Sequence, residues 1–154
     1  METIIQTARD VHKFLPHSCH YNESNYHKAF AHLLQKNLPL YYSVSMEVPI
    51  PCQLPDGFVF GYGRADVVVE SKDHVYIIEL KVSHSDKRGP CGMHQLRRYM
   101  YHYQTTKKKR SLLVNFGRTL YMEIDNTPLK DKTITERKKD KRKTETHTEP
   151  VLHF

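Results

Sequence analysis

Cysteine is scarce in this 154-residue chain, and long apolar runs are missing. Its three cysteines, Cys19, Cys52 and Cys91, are odd in number and widely separated. They offer no disulfide framework and read as free thiols in a reducing compartment. No apolar stretch approaches the ~20 residues that a bilayer-spanning helix needs, and the mean hydropathy is −0.67. A soluble protein without a membrane partner is expected. The N-terminus lacks the basic start and continuous apolar core of a signal peptide, so the expected location is intracellular, cytoplasmic or nuclear, and not secreted. Acidic residues are fewer than basic ones, 17 against 24, for a net charge of +7, and residues 126–154 hold eight Lys/Arg against five Asp/Glu. That balance suits a polyanionic partner, but solvated basic faces are common and charge alone decides little.

The length fits one domain with a single core. Residues 2–15 carry apolar residues at helical spacing (Ile4, Ile5, Ala8, Val11, Phe14, Leu15) and end before Pro16. A second helix is predicted over "NESNYHKAFAHLLQKN", with Asn22 as N-cap and Tyr26, Phe30, Leu33 and Leu34 facing a core. "YYSVSMEVPIP" alternates as a strand, and "CQLPDG" turns it into a further strand, "FVFGYG". Two more strands follow within 63–82, then a loop, "SHSDKRGPCG", and a helix, "MHQLRRYMYHYQ", which "TTKKKR" ends. "SLLVNFG" and "RTLYMEI" are the last predicted strands, and 126–154 is expected to be a charged, weakly structured tail. This order predicts an α/β (α+β) fold with a mixed sheet flanked by helices, in a domain spanning 1–125.

The stretch "GRADVVVESKDHVYIIELKV", residues 63–82, places Asp66, Glu79 and Lys81 inside β-branched runs. With "SKDH" as a four-residue hairpin loop, Glu70 opposes Val75, and counting back sets Asp66 opposite Glu79. Carboxylates so placed repel unless one is protonated or a cation lies between them. Side-chain alternation puts Glu79 and Lys81 on one face and Ile78, Leu80 and Val82 on the other. Two carboxylates and an ammonium on one face suit metal-assisted phosphodiester hydrolysis: oxygen ligands hold the cation, and the ammonium orients water or offsets developing charge. Spacing alone is equally served by strand-end carboxylates paired with Lys81 and Arg64.

The same stretch resembles the core motif of the PD-(D/E)XK nuclease superfamily, with Asp66 as the first acidic residue, Glu79-Leu80-Lys81 as the (D/E)-X-K element, and Ala65 at the proline position. "HYNESNYHKAF" resembles the helix motif of GxxExxY proteins through Glu23 and Tyr26, with His20 where glycine stands. "QLRRY" resembles the Gln-x-x-x-Tyr helix of RecB-like nucleases, through Gln95 and Tyr99. The resemblance implies a restriction-endonuclease-like core and a Mg²⁺ (or Mn²⁺) cofactor held by Asp66, Glu79, the Leu80 carbonyl and Glu23. It also implies a water-directing role for Lys81, and Gln95 bordering the catalytic site beside Tyr99.

For nucleic-acid contact, Tyr99, Arg97, Arg98 and the run Lys107, Lys108, Lys109 and Arg110 are candidates. Solvated charged faces serve that run equally well. A zinc site from Cys91 and His94, or from His17, Cys19 and His20, lacks paired zinc-ligand spacing. The expected function is a metal-dependent nuclease acting on nucleic acid, DNA before RNA, with targeting supplied by substrate structure or a protein partner. The alternative is a non-catalytic nucleic-acid-binding or partner-docking module on the same fold.

Overall fold

The computed structural model describes residues 1–83 and 92–129. Residues 84–91, which hold most of the expected loop and Cys91, and residues 130–154, most of the expected tail, lie outside the described residues. Helix α1, Glu2–Phe14, buries Ile4, Ile5, Ala8 and Val11, the predicted helical face. A 3₁₀ turn at His17–Cys19 leads to α2, Glu23–Asn37. Asn22 caps α2 as expected: its Oδ1 accepts from the Asn25 N–H at 2.9 Å, and the Asn25 Oδ1 accepts from the Asn22 N–H at 3.1 Å. Two otherwise orphaned donors are thereby satisfied at the point where Glu23 enters the helix.

The predicted strands at "FVFGYG" and "GRADVVVE" are one element. Strand β1, Ser43–Gln53, forms a long hairpin with the twelve-residue β2, Val59–Glu70. Strand β3, His74–Lys81, pairs antiparallel with β2, and α3, Met93–His102, then crosses the sheet to bring β4, Lys108–Phe116, parallel to β3. Strand β5, Leu120–Ile124, and the short β6, Thr127–Pro128, complete a six-stranded mixed sheet in sequential order. "KKR" thus begins β4 and does not end a helix. β6 lies within the expected tail.

Two packed layers follow from the alternation. Val67, Val69, Tyr76, Ile78, Leu80, Leu112 and Val114 face α1 and α2, where Phe30 and Leu34 are fully buried. Each such side chain contributes roughly 1.5–3 kcal/mol. On the other face, Ala65, Val68, Val75, Ile77 and Leu113 pack against Met93, Leu96 and Tyr99 of α3. β3 is therefore buried on both sides, which is why its sequence is nearly continuous in apolar residues. Lys109 secures the end of α3 by donating from Nζ to the Met100 and Tyr103 carbonyls, groups that a helix terminus leaves open. Among the described residues, no helix is long and apolar enough to cross a membrane.

Candidate active site

The site forms where the hairpin ladders break. β1 and β2 pair Met46 with Val67 and Val48 with Ala65, leaving Glu47 and Asp66 out of the ladder between them. Glu47 has φ 55°, a left-handed conformation costing about 1–2 kcal/mol for a residue with a Cβ. Strict alternation fails here: Ala65 and Val68 join the α3 layer, whereas Val67 and Val69 join the α1–α2 layer. The β2–β3 ladder runs in the expected register from Glu70–Val75 to Val67–Ile78 and then stops. Asp66 Oδ2 accepts the Leu80 N–H at 2.8 Å, replacing the backbone acceptor that a continuing ladder would supply. The parting strands leave room for side chains from both layers.

Glu79 is only 2% exposed, and Lys81 Nζ lies 2.9 Å from its Oε1. Burial pushes Glu79 up to about 7; the Lys81 hydrogen bond opposes the rise, and the Asp66 and Glu23 charges add to it. Asp66 is also raised, chiefly by burial, against the Leu80 N–H and the charges of His27 and Lys81. Burial pulls the Lys81 ammonium down, but the Glu79 bond and the surrounding carboxylates outweigh it and hold Lys81 above its ordinary value. This is the electrostatics of a pocket with more negative groups than one ammonium can compensate.

Helix α2 brings His27, which reading the sequence missed. Its Nε2 lies 3.6 Å from Glu23 Oε1 and 3.9 Å from Asp66 Oδ2, and its Nδ1 lies 3.9 Å from Glu47 Oε1. Glu47 in turn binds Arg64 Nε at 2.6 Å. Four residues after Glu23, His27 is on the same helical face, which was the available signal. Glu47 gave no comparable sign, because its position depends on the strand irregularity. Asn115, paired with Lys81 across β3 and β4, was missed as well. Among the described residues, the buried atoms Glu79 Oε2, His27 Nε2 and Asn115 Oδ1 have no hydrogen-bond partner. Ligand atoms of His27, Glu47 and Asp66 lie within 4.8 Å of one another. Hard carboxylates, a ring nitrogen and orphaned buried polar atoms form a donor set that fits a divalent cation.

Helix α3 closes the other side. Gly92, φ 92°, starts the helix so close to the sheet that a Cβ would meet Lys81 Cε at 3.0 Å and Glu79 Cγ at 3.3 Å. Tyr99 packs against Gly63 and hydrogen-bonds with the Arg64 backbone; burial, foremost, and the nearby Glu79 and Asp66 charges raise its phenol. Gln95, one turn earlier, is exposed, as are Arg97 and Arg98.

The structure thus gathers Asp66, Glu79, Lys81, Glu23 and Tyr99. Residues 107–110 lie elsewhere, at the opposite end of the parallel β3–β4 pair, where His74 pairs with Lys108. There Lys107 binds Glu70 at 3.0 Å, and Arg110 binds Asp125 at 2.7 Å. These pairs, together with the carbonyl bonds of Lys109, spend three of the four charges within the fold. Cys19 is exposed and Cys52 buried, and neither belongs to the His27–Glu47–Asp66 group.

Residues 1–127 match the sequence profile of the PD-(D/E)XK nuclease superfamily. The chain belongs to that superfamily. Members of the superfamily are generally nucleases and usually employ a divalent metal, and the acidic and histidine cluster is in keeping with such an ion. The solved "Crystal structure of SSO0001" is similar in fold, with a TM-score of 0.51 and 24% identity over 80% of this chain. The alignment covers 59% of that structure's chain, so this PD-(D/E)XK chain spans less than two thirds of it. A search of curated proteins gives no match.

Proposed function

We propose that this chain is a GxxExxY-type, RecB-like nuclease that hydrolyses phosphodiester bonds in DNA, with Mg²⁺ or Mn²⁺ as cofactor and residues 1–125 as its catalytic domain. The observation that carries the reading is the convergence of Asp66, Glu79 and Lys81 with Glu23 and His27 where β2 and β3 part. Tyr26 supports the narrower assignment: stacked on Phe116 at 4.9 Å and donating to the Leu15 carbonyl at 3.0 Å, it holds the helix that presents Glu23. His20, where the motif has glycine, has φ 50°, a conformation glycine adopts without steric cost. The motif's glycine thus has a physical counterpart here, filled by a costlier residue.

Asp66, Glu79, the Leu80 carbonyl, Glu23 and His27 would hold the cation. When bound, it polarises the phosphate and acidifies a coordinated water. Lys81, kept protonated by its neighbours, acts as a hydrogen-bond donor that orients water and offsets charge developing on phosphate oxygens. Asp66 holds the parted strands through Leu80 N–H while its other oxygen remains available as a ligand. Gln95 and Tyr99 border the substrate path, and Arg97 and Arg98 contact the backbone.

The test incubates purified protein with labelled linear, circular, branched and single-stranded DNA and with RNA, in Mg²⁺, Mn²⁺ or EDTA. Metal-dependent products that disappear in Lys81→Ala and Asp66→Ala, with substrate binding largely retained, are expected. Binding without product on any substrate would overturn the reading in favour of a docking module.

A further inference from the structure

The chain carries a second surface that the hydrolytic site does not use. At the far end of the β1–β2 hairpin, Leu54, Phe58 and Phe60 are exposed, the two rings at 64% and 59%, and Tyr101 on α3 is 76% exposed. Scattered single apolar residues on a surface need no explanation. Phe60 on β2 and Tyr101 on α3 flank one side chain: His102 stands 5.8 Å from the Phe60 ring and 5.0 Å from the Tyr101 ring, edge-on to both. His102 is itself held by accepting the Gln53 N–H at 3.2 Å on Nδ1. Beside the rings lies a cavity of about 340 Å³ lined by residues that include Leu54, Pro55, Tyr101 and Gln104. Among the described residues, no carboxylate lines it. Asp56, in the adjoining turn, accepts the Phe58 N–H at 2.9 Å.

Charge and continuity select the occupant. Arg97 and Arg98 precede Tyr101 by four and three positions, so they share its exposed helical face. The first residues of α3 lie over Glu79 and Lys81, and Tyr99 packs by Arg64. From Gly92 to Tyr101 the helix spans about 14 Å, so it links the candidate active site to the exposed rings. A basic helical face leading from such a site to exposed aromatic rings matches the recurring arrangement for unpaired nucleic acid: cations follow the backbone and rings stack on bases. In a duplex the base faces are already occupied by neighbouring bases.

We propose that Phe60 and Tyr101 form a stacking platform for unpaired bases of a single-stranded nucleic acid, whose backbone runs along Arg97 and Arg98 toward the site. This rests on the nuclease reading and narrows its substrate to one with a single-stranded segment. The rings supply affinity without base-specific hydrogen bonds, so recognition depends on strandedness and little on sequence.

The test measures fluorescence anisotropy of the full chain in EDTA with labelled oligothymidylate and with a blunt duplex at the same salt. Circular dichroism verifies folding of each variant, and sedimentation reports oligomeric state. Tyr101→Ala and Phe60→Ala should each weaken single-strand binding about tenfold while changing duplex binding less than about twofold, and Tyr101→Phe should bind like the parent. Equal losses on both probes, or none, would overturn the platform. So would a dimer that Tyr101→Ala dissociates, which would assign the rings to a second copy. The two readings fail differently: binding without metal-dependent product defeats the nuclease, whereas cleavage of single strands indifferent to both ring substitutions defeats only the platform.

Discussion

Replacing Gly63 by alanine should disturb the fold and the candidate site through one contact. A Cβ at Gly63 would fall well inside contact distance of the Tyr99 ring, on the flank of α3 that packs against β2. Tyr99 is 5% exposed and hydrogen-bonds with the Arg64 backbone, so it cannot swing away without losing packing and that bond. Overpacking of this kind costs about 1–3 kcal/mol. Tyr99→Ala alone removes a buried ring and should cost about 3–5 kcal/mol. In the double variant the new methyl group meets space instead of a ring, so the combined loss should nearly equal that of Tyr99→Ala, a coupling of about 1–3 kcal/mol. Urea denaturation of the four proteins in EDTA closes the cycle. Additive losses would refute the reasoning, because they would mean that Gly63 and Tyr99 do not compete for the same space.

Three further outcomes follow from side-chain surroundings. Glu79, raised to about 7, binds its proton more tightly in the folded chain than in the unfolded one; that stabilisation is full below the ordinary carboxylate range and disappears as pH rises through 7. Metal-free stability should therefore fall by about 3 kcal/mol from pH 4 to pH 8 through this group, and urea midpoints should show a shallower slope in Glu79→Gln; equal slopes would remove burial as the cause. Glu70 has the opposite sign: the Tyr103 hydroxyl, first, and Lys107 hold it low, against burial, so its contribution is present above the ordinary range and lost in acid. Tyr103→Phe should cost about 1 kcal/mol at pH 7, discounted for partial exposure, and less at pH 3, by thermal melts at the two pH values. Lys109→Met should destabilise by about 1–3 kcal/mol by stripping the Met100 and Tyr103 carbonyls of their donor, with faster amide exchange at the end of α3; unchanged exchange would refute the capping role.

Local patterns determined much of this protein. The apolar spacing of 2–15, the Asn22 cap and the continuous run in β3 specify elements whose environments the structure reproduces, because periodicity records which faces must leave water. The four-residue loop at 71–74 determined the β2–β3 register, since hairpin length leaves little freedom in pairing, and with it the approach of Asp66 to Glu79. Only the tertiary structure decided that "FVFGYG" and "GRADVVVE" are one strand, because glycine signals a break locally whereas Gly63 is needed for the close approach of Tyr99. It decided also that Glu47 turns out of the ladder toward His27, and that most of the charge in 107–110 is paired far from the site. A carboxylate or a lysine has the same sequence signature in a metal cluster, in a helix cap or on a free surface. Which role it takes depends on partners from distant segments that only folding brings within a few ångströms.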